Sequence, residues 1–316
     1  MTVTTPVPGT ARAWLLSPAP ASRLQARCGR WFRGWLGFRR NPLAMSGLVI
    51  VLLLVLMAVF APLIADPQAA ILQVLDDRLQ PASWQHPFGT DELGRDILAR
   101  VVYGARTSLI TAGGAVAIAA VIGVPIGMVA GFFGGWRDML LMRFVDVLLS
   151  LPGILFAMAL IAVLGRSQMA ALVAVGITGI PGFARITRAQ VLSLRKRDFV
   201  TAVEALGGSS SYNMFSTVLP NSWSPILVQM VILSSVAILI EASLAFLGIG
   251  IPPPTPSWGE MLRTGKSYLY DAPTYAVLPG LVLTLTILSL DTIGRALAAV
   301  LADRHESADQ DAARAP

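Results

Sequence analysis

The chain has 316 residues, 55% of them hydrophobic and 13% charged, with a formal net charge of +6. Soluble domains carry about 25% charged residues, so the composition excludes one and defines an integral membrane protein. Its single cysteine, Cys28, also excludes internal disulfides and cysteine-rich metal sites.

Residues 1–40 form an N-terminal arm. After a Pro- and Ala-rich start, Leu24, Cys28, Trp31, Trp35 and Phe38 recur at helical spacing beside Arg23, Arg27 and Arg30. Such a basic amphipathic stripe suits a helix lying in the membrane interface. A spanning helix needs about 20 largely apolar residues to cross about 30 Å of hydrocarbon. Six runs qualify: Gly47–Ala65, Leu109–Ala130, Leu140–Leu164, Ala170–Ile186, Ile226–Phe246 and Val277–Val300. The first is longer than the core of a signal peptide and lacks a following small-x-small site, so it reads as a signal anchor. The expected fold is therefore an all-α bundle of six spans in one transmembrane domain, residues 41–303, with a short tail over residues 304–316.

Between the first two spans, Thr90 is placed to cap a helix with Asp91 and Glu92 in its first turn, where carboxylates favour the positive helix end. Before the last span, Pro252 to Gly259 form a stiff loop in which Trp258 can anchor at the interface. With the N-terminus inside, 17 of the 24 Lys and Arg residues fall on the cytoplasmic side. Lys and Arg favour that side, so both termini are expected in the cytoplasm. His86 and His305 then lie on opposite sides of the membrane and cannot share a metal.

Within the spans, Gly123, Gly127 and Gly131 form a row of small residues four apart, which lets another helix approach closely. Asp146 lies three residues from Arg143, and Asp291 four from Arg295, so helix-face ion pairs are expected. Glu241 is expected near the outer end of its span, in contact with water.

A basic segment, Arg195-Lys196-Arg197, precedes the fifth span. It leads into Asp198-Phe199-Val200-Thr201-Ala202-Val203-Glu204-Ala205-Leu206-Gly207 and on to Leu219-Pro220-Asn221. Val200 to Leu206 can form about two helical turns with Val200, Val203 and Leu206 on an apolar side. Gly207 is then expected to end the helix with a positive φ.

The spacing of this short helix, Gly207 and Pro220 resembles the EAA loop of ABC-importer permeases. The resemblance widens over residues 39–304. Asn41-Pro42-Leu43-Ala44, Gly89-Thr90-Asp91-Glu92-Leu93-Gly94-Arg95-Asp96, Gly104-Ala105-Arg106-Thr107-Ser108-Leu109 and Met142-Arg143-Phe144-Val145-Asp146 occur in family order. Ser243-Leu244-Ala245-Phe246-Leu247-Gly248 and Pro252-Pro253-Pro254-Thr255-Pro256-Ser257-Trp258-Gly259 complete the set. Together they resemble the C-type permease subunits of dipeptide and oligopeptide ABC importers. Two places depart from the family: Thr201-Ala202-Val203 stands where many members have Glu-Ala-Ala, and Asp291-Thr292-Ile293-Gly294-Arg295 where Asn-Leu-Leu-Gly-Asp is usual.

The resemblance implies a type I importer permease of the bacterial inner membrane, which is not itself an enzyme. Its implied partners are a homologous permease, two cytoplasmic ATPase subunits that bind the ATP and Mg, and an extracytoplasmic solute-binding protein. It further implies that Val200, Thr201, Val203, Glu204, Ala205, Leu206, Gly207 and Pro220 form the ATPase-coupling element. Peptides are the implied cargo, with nickel complexes, opines and small oligosaccharides as alternatives within the class. A stand-alone secondary transporter or channel would instead show inverted repeats and a midplane charge site, and neither is found. Gly259 to Ser267 mimics a phosphate-binding loop, but five residues separate its glycines where the motif has four, and no strand precedes it.

The charge asymmetry predicts a labelling pattern. In a Cys28→Ser background on intact cells, a membrane-impermeant thiol reagent is expected to label a cysteine at Thr255 and not one at Ser210. The reverse pattern, or equal labelling, contradicts the assigned orientation.

Overall fold

Caps and prolines set the helix boundaries in the computed structural model, which describes residues 21–314 together with Trp14, Leu15 and Ser17. Side chains are described as far as Leu301, except at Arg23, Ala26, Arg27, Arg30 and Trp31. Helix α1 (Arg23–Arg39) begins at Ser22, whose hydroxyl accepts from the Gln25 N–H. Helix α2 (Pro42–Val59) begins at Asn41, whose carboxamide accepts from the Leu43 and Ala44 N–H groups, with Pro42 in the first turn. Leu24 and Trp35 of α1 are exposed, whereas Phe38 leaves the expected stripe and is buried against Ala44, Ile293 and Ala296. Trp31 lies outside the described side chains.

Helix α3 (Ile97–Phe133) is 37 residues long, about 55 Å, and so exceeds the hydrocarbon thickness. Its N-cap is Asp96, which accepts from the Ala99 N–H at 2.7 Å, and not Thr90 as the sequence suggested. Gly94 explains the shift. Its φ of +75° breaks any helix through this segment, and a Cβ there would lie 1.8 Å from the Val74 carbonyl oxygen. Asp91 instead folds the segment into its own turn, accepting from the Leu93 and Arg95 N–H groups at 2.9 Å.

The third expected span is not one helix. Helices α4 (Gly135–Ser150) and α5 (Gly153–Leu164) meet at 89° across Leu151-Pro152. Proline disfavours helical backbone in the residue before it, and Leu151 is extended at φ −97°, ψ 134°. Helix α6 (Gln168–Leu194) starts at the Ser167 cap. After the short α7 (Asp198–Ala205), helix α8 (Ser210–Phe246) includes a π-helical turn at Asn213–Val218. A short amphipathic α9 (Trp258–Gly265) and the long α10 (Thr274–Arg314) complete the chain. Among the described residues, five helices are long and apolar enough to cross a membrane, and the bent pair makes a sixth span when taken as one.

Helices α3 and α6 pack most closely. A Cβ on Gly123 would meet Ile180 and Phe183, one on Gly127 would meet Ala184 and Thr187, and one on Gly131 would meet Arg188 and Val191. Reciprocally, Gly176 faces Ala115 and Ile118, and Gly179 faces Ala119. Both numberings rise together, so the two helices run parallel, with α4 and α5 carrying the chain back between them. At the opposite end from α7, α9 is pressed onto α3, α8 and α10. Trp258 is fully buried there and donates from Nε1 to the Val101 carbonyl at 3.0 Å, so it is a packing wedge and not an interfacial anchor. Gly104 makes room for its ring, which would lie 2.8 Å from a Cβ.

A buried ionic cluster fastens this end. Arg95 Nε donates to Asp91 Oδ2 at 2.7 Å, Arg100 pairs with Glu260 Oε2 at 3.2 Å, and Arg100 donates to the Ala70 carbonyl at 3.1 Å. Arg100 Nε lies 3.3 Å from Asp91 Oδ2 without hydrogen-bond alignment.

The α3–α6 approach predicts an asymmetry between glycines. Gly127→Ala puts a methyl group 2.3 Å from the Ala184 carbonyl and is expected to destabilise the detergent-solubilised protein by about 1–3 kcal/mol. Gly113→Ala meets nothing within 4 Å and is expected to leave the thermal transition unchanged or raise it slightly. Equal effects of the two substitutions would contradict the packing described.

Candidate functional site

The region around α7 is built from the ends of three long helices. Arg195, Lys196 and Arg197 lead out of α6 and Asp198 opens α7, placing a carboxylate in the positive first turn. The helix stops at a complete Schellman motif. The Gly207 N–H donates to the Glu204 carbonyl at 3.0 Å, and the Gly208 N–H to the Val203 carbonyl at 2.9 Å, with Gly207 at φ +81°. Gly208 is equally constrained, since a Cβ there would lie 2.6 Å from Val203 Cγ1.

Val200 is fully buried, in a cluster with Met128 and Phe132 from α3, Val191 from α6, and Met214 and Val218 from the π turn. Val200 therefore faces the bundle while Leu206 is exposed, which corrects the single apolar side expected for the two from the sequence. The reason is local. Apolar side chains lie on more than one face of this two-turn helix, and the apolar ends of α3 and α6 claim the one bearing Val200. Val203 is half-buried, while Thr201, Glu204, Ala205 and Leu206 are exposed, Leu206 to 89%. Phe199 at 43%, Tyr212 at 59% and Phe215 at 59% add aromatic surface at the same end. Sequence reasoning passed over these three, although aromatic residues flanking a basic loop were the available signal.

Pro220 follows the π turn. In a straight α-helix its ring would press on the carbonyl of Ser216, and the wider turn removes that clash. The Leu219 N–H donates to the Met214 carbonyl, five residues back. The Thr217 and Val218 carbonyls are taken by the Asn221 and Ser222 side chains at 2.7 and 2.9 Å.

Ion pairs tie the neighbouring helices together. Asp146 pairs with Arg185 of α6 at 2.7 Å and not with Arg143, which is exposed and makes no ion pair among the described residues. Helix α4 lies along α6, so a cross-helix partner wins over the neighbour on the same helix. Asp138 receives two hydrogen bonds from Arg188, both at 2.6 Å. Asp291 and Arg295 are 2.7 Å apart on the exposed face of α10. Glu241 is buried and not wet, because α9 covers it. It accepts from the Ser108 hydroxyl at 3.2 Å. The stretch that mimics a phosphate loop is the helix α9 itself, with Gly259 and Gly265 packed against Ala242 and Tyr275. No group of metal-ligating side chains is found among the described residues.

The helical bundle thus presents one short helix seated on the ends of its spans. Residues 123–306 match the family described as binding-protein-dependent transport system inner membrane component, and residues 29–82 match the N-terminal TM domain of oligopeptide transport permease C. The chain is 40% identical over 281 residues to the dipeptide transport system permease protein DppC of Alkalihalophilus pseudofirmus, covering 89% of this chain and 92% of that one. It is also 40% identical to the di/tripeptide transport system permease protein DppC of Pseudomonas aeruginosa, covering 83% and 88%. A third relative, the glutathione transport system permease protein GsiD of Escherichia coli, is 40% identical, covering 84% and 88%. A solved structure of the MetNI methionine ABC transporter in inward-facing conformations aligns at TM-score 0.50 and 19% identity, covering 64% of this chain and 97% of that one. That likeness bears on the fold alone, which is the type I ABC importer permease fold.

The chain belongs to the family of binding-protein-dependent transport system inner membrane components. It is a multi-pass permease subunit and not an enzyme. Members of this family work with ATPase subunits and a solute-binding protein.

Proposed function

We propose that this chain pairs with a homologous permease to enclose a pathway for small peptides, driven by ATPases docked on α7. One observation carries the docking assignment. Helix α7 is fixed from behind by Val200, while Phe199 and Leu206, with Tyr212 and Phe215 beside them, project from the end of the bundle. An exposed aromatic and aliphatic patch of this kind marks an interaction surface. Arg195 and Lys196 supply positive charge around it.

In this reading the α7 end and both termini lie in the cytoplasm, as the Lys and Arg distribution favours. Residues 1–40 form the interfacial arm, residues 41–303 the transmembrane domain and residues 304–316 the tail. ATP and Mg are bound by the partner subunits, and this chain contributes no cofactor site. Gly123, Gly127 and Gly131 act in packing, and Asp291 with Arg295 as a helix-face pair. Support for a peptide cargo comes from the three relatives, which are named for dipeptides, di- and tripeptides, and glutathione. Closure of the ATPases would then shift α7, and with it the helix ends packed on Val200, as a rigid group.

Two substitutions test the docking surface. Leu206→Asp changes a side chain exposed to 89% and is expected to leave insertion intact while reducing ATPase co-purification at least about tenfold, the loss of about 1.4 kcal/mol. Gly207→Val forces a β-branched residue to φ +81° and is expected to act in the same direction by deforming the end of α7. Wild-type ATPase association in both variants would refute the assignment.

A further inference from the structure

Behind α7 lies a polar contact that the docking surface does not explain. Asn213 is fully buried in the π turn near the start of α8. Its Nδ2 donates to the Val200 carbonyl at 3.2 Å and, more weakly, to Glu204 Oε1 at 3.4 Å. Both partners are on α7 and both are acceptors, so the amide orientation follows from the network. The other amide atom, Oδ1, is buried without a partner. A buried unsatisfied acceptor carries a cost that an apolar side chain at the same place would avoid.

The π turn governs where this side chain points. One extra residue in a helical turn rotates everything before it by about 100° relative to a straight α-helix. Asn213 lies at the start of that turn, so its direction towards α7 depends on the widening that accompanies Pro220. The Leu219 N–H bonded to the Met214 carbonyl closes the same turn. Val200 supplies apolar contact at this joint, but such contact is non-directional. The amide adds a directional contact between α7 and α8.

We propose that Asn213 is a positioning residue for coupling: it locks α7 to α8, so that displacement of α7 turns the span and is not lost as rocking of the short helix. The proposal rests on α7 being the ATPase docking element, and its test separates the two claims. The full transporter, with companion permease, ATPases and binding protein, is reconstituted in liposomes with Asn213→Ala, with the isosteric Asn213→Asp, and with Gly207→Val as the docking control. Solute transported per ATP hydrolysed is measured together with ATPase co-purification.

Both Asn213 variants are expected to keep the ATPases bound and to transport about fivefold less solute per ATP, or lower still, whereas Gly207→Val loses the ATPases. A wild-type ratio in either assembled Asn213 variant overturns the proposal. So does loss of the ATPases from both, which would make Asn213 a structural residue. Retention of the ATPases by Gly207→Val would instead count against the docking assignment.

Discussion

The structure depends on the absence of side-chain bulk along one line between α3 and α6. Lipid is as apolar as leucine, so helices in a bilayer gain little from hiding apolar surface against each other, and close backbone approach with dense van der Waals contact must hold them. Ala115, Ala119, Gly123, Gly127 and Gly131 provide that line on α3, with Gly176 and Gly179 reciprocating on α6. The pairing is parallel, so both helices end on the same side, and their last turns supply Met128, Phe132 and Val191 to the seat that holds Val200. A short helix of eight residues is marginal on its own, and that seat makes α7 a fixed feature of the molecule.

The two ends of the bundle are stabilised by different physics. At the α9 end, a nearly dry ionic cluster of Asp91, Arg95, Arg100 and Glu260 joins residues far apart in the chain, and Trp258 wedges between α3 and α8. Buried charges of this kind add directional specificity more than stability, and they are costly when one partner is lost. At the α7 end the seat of α7 is mostly apolar, with the Asn213 amide crossing it, and ion pairs from Arg185 and Arg188 join α6 to α4 alongside. That division suits one end that keeps its shape and another that moves as a body while passing on a displacement.

The apolar spans could be read from the sequence because the bilayer imposes a length on every apolar run. What could not be read depended on neighbours. The bend at Leu151-Pro152 hides inside a run whose hydropathy is continuous. Asp146 chooses Arg185 over Arg143 because α4 lies along α6, a fact of tertiary arrangement. Trp258 and Glu241 resemble interfacial and wet residues until α9 packs onto the bundle, carrying Trp258 in with it and closing over Glu241. Around α7, the stop at Gly207 is local and legible. The face that turns inward is set by Phe132 and Val191, and the amide reaching it from Asn213 depends on a turn type that leaves little sequence trace beyond Pro220.

The central claim is that α7 is held from within and meets the ATPases with its outer face. A short photoreactive side chain placed at Leu206, and separately at Tyr270 at the α9 end, in the assembled transporter tests it most directly. The account predicts that Leu206 captures an ATPase subunit and Tyr270 does not. Capture of the ATPase from Tyr270, or only lipid and companion permease from Leu206, would contradict it.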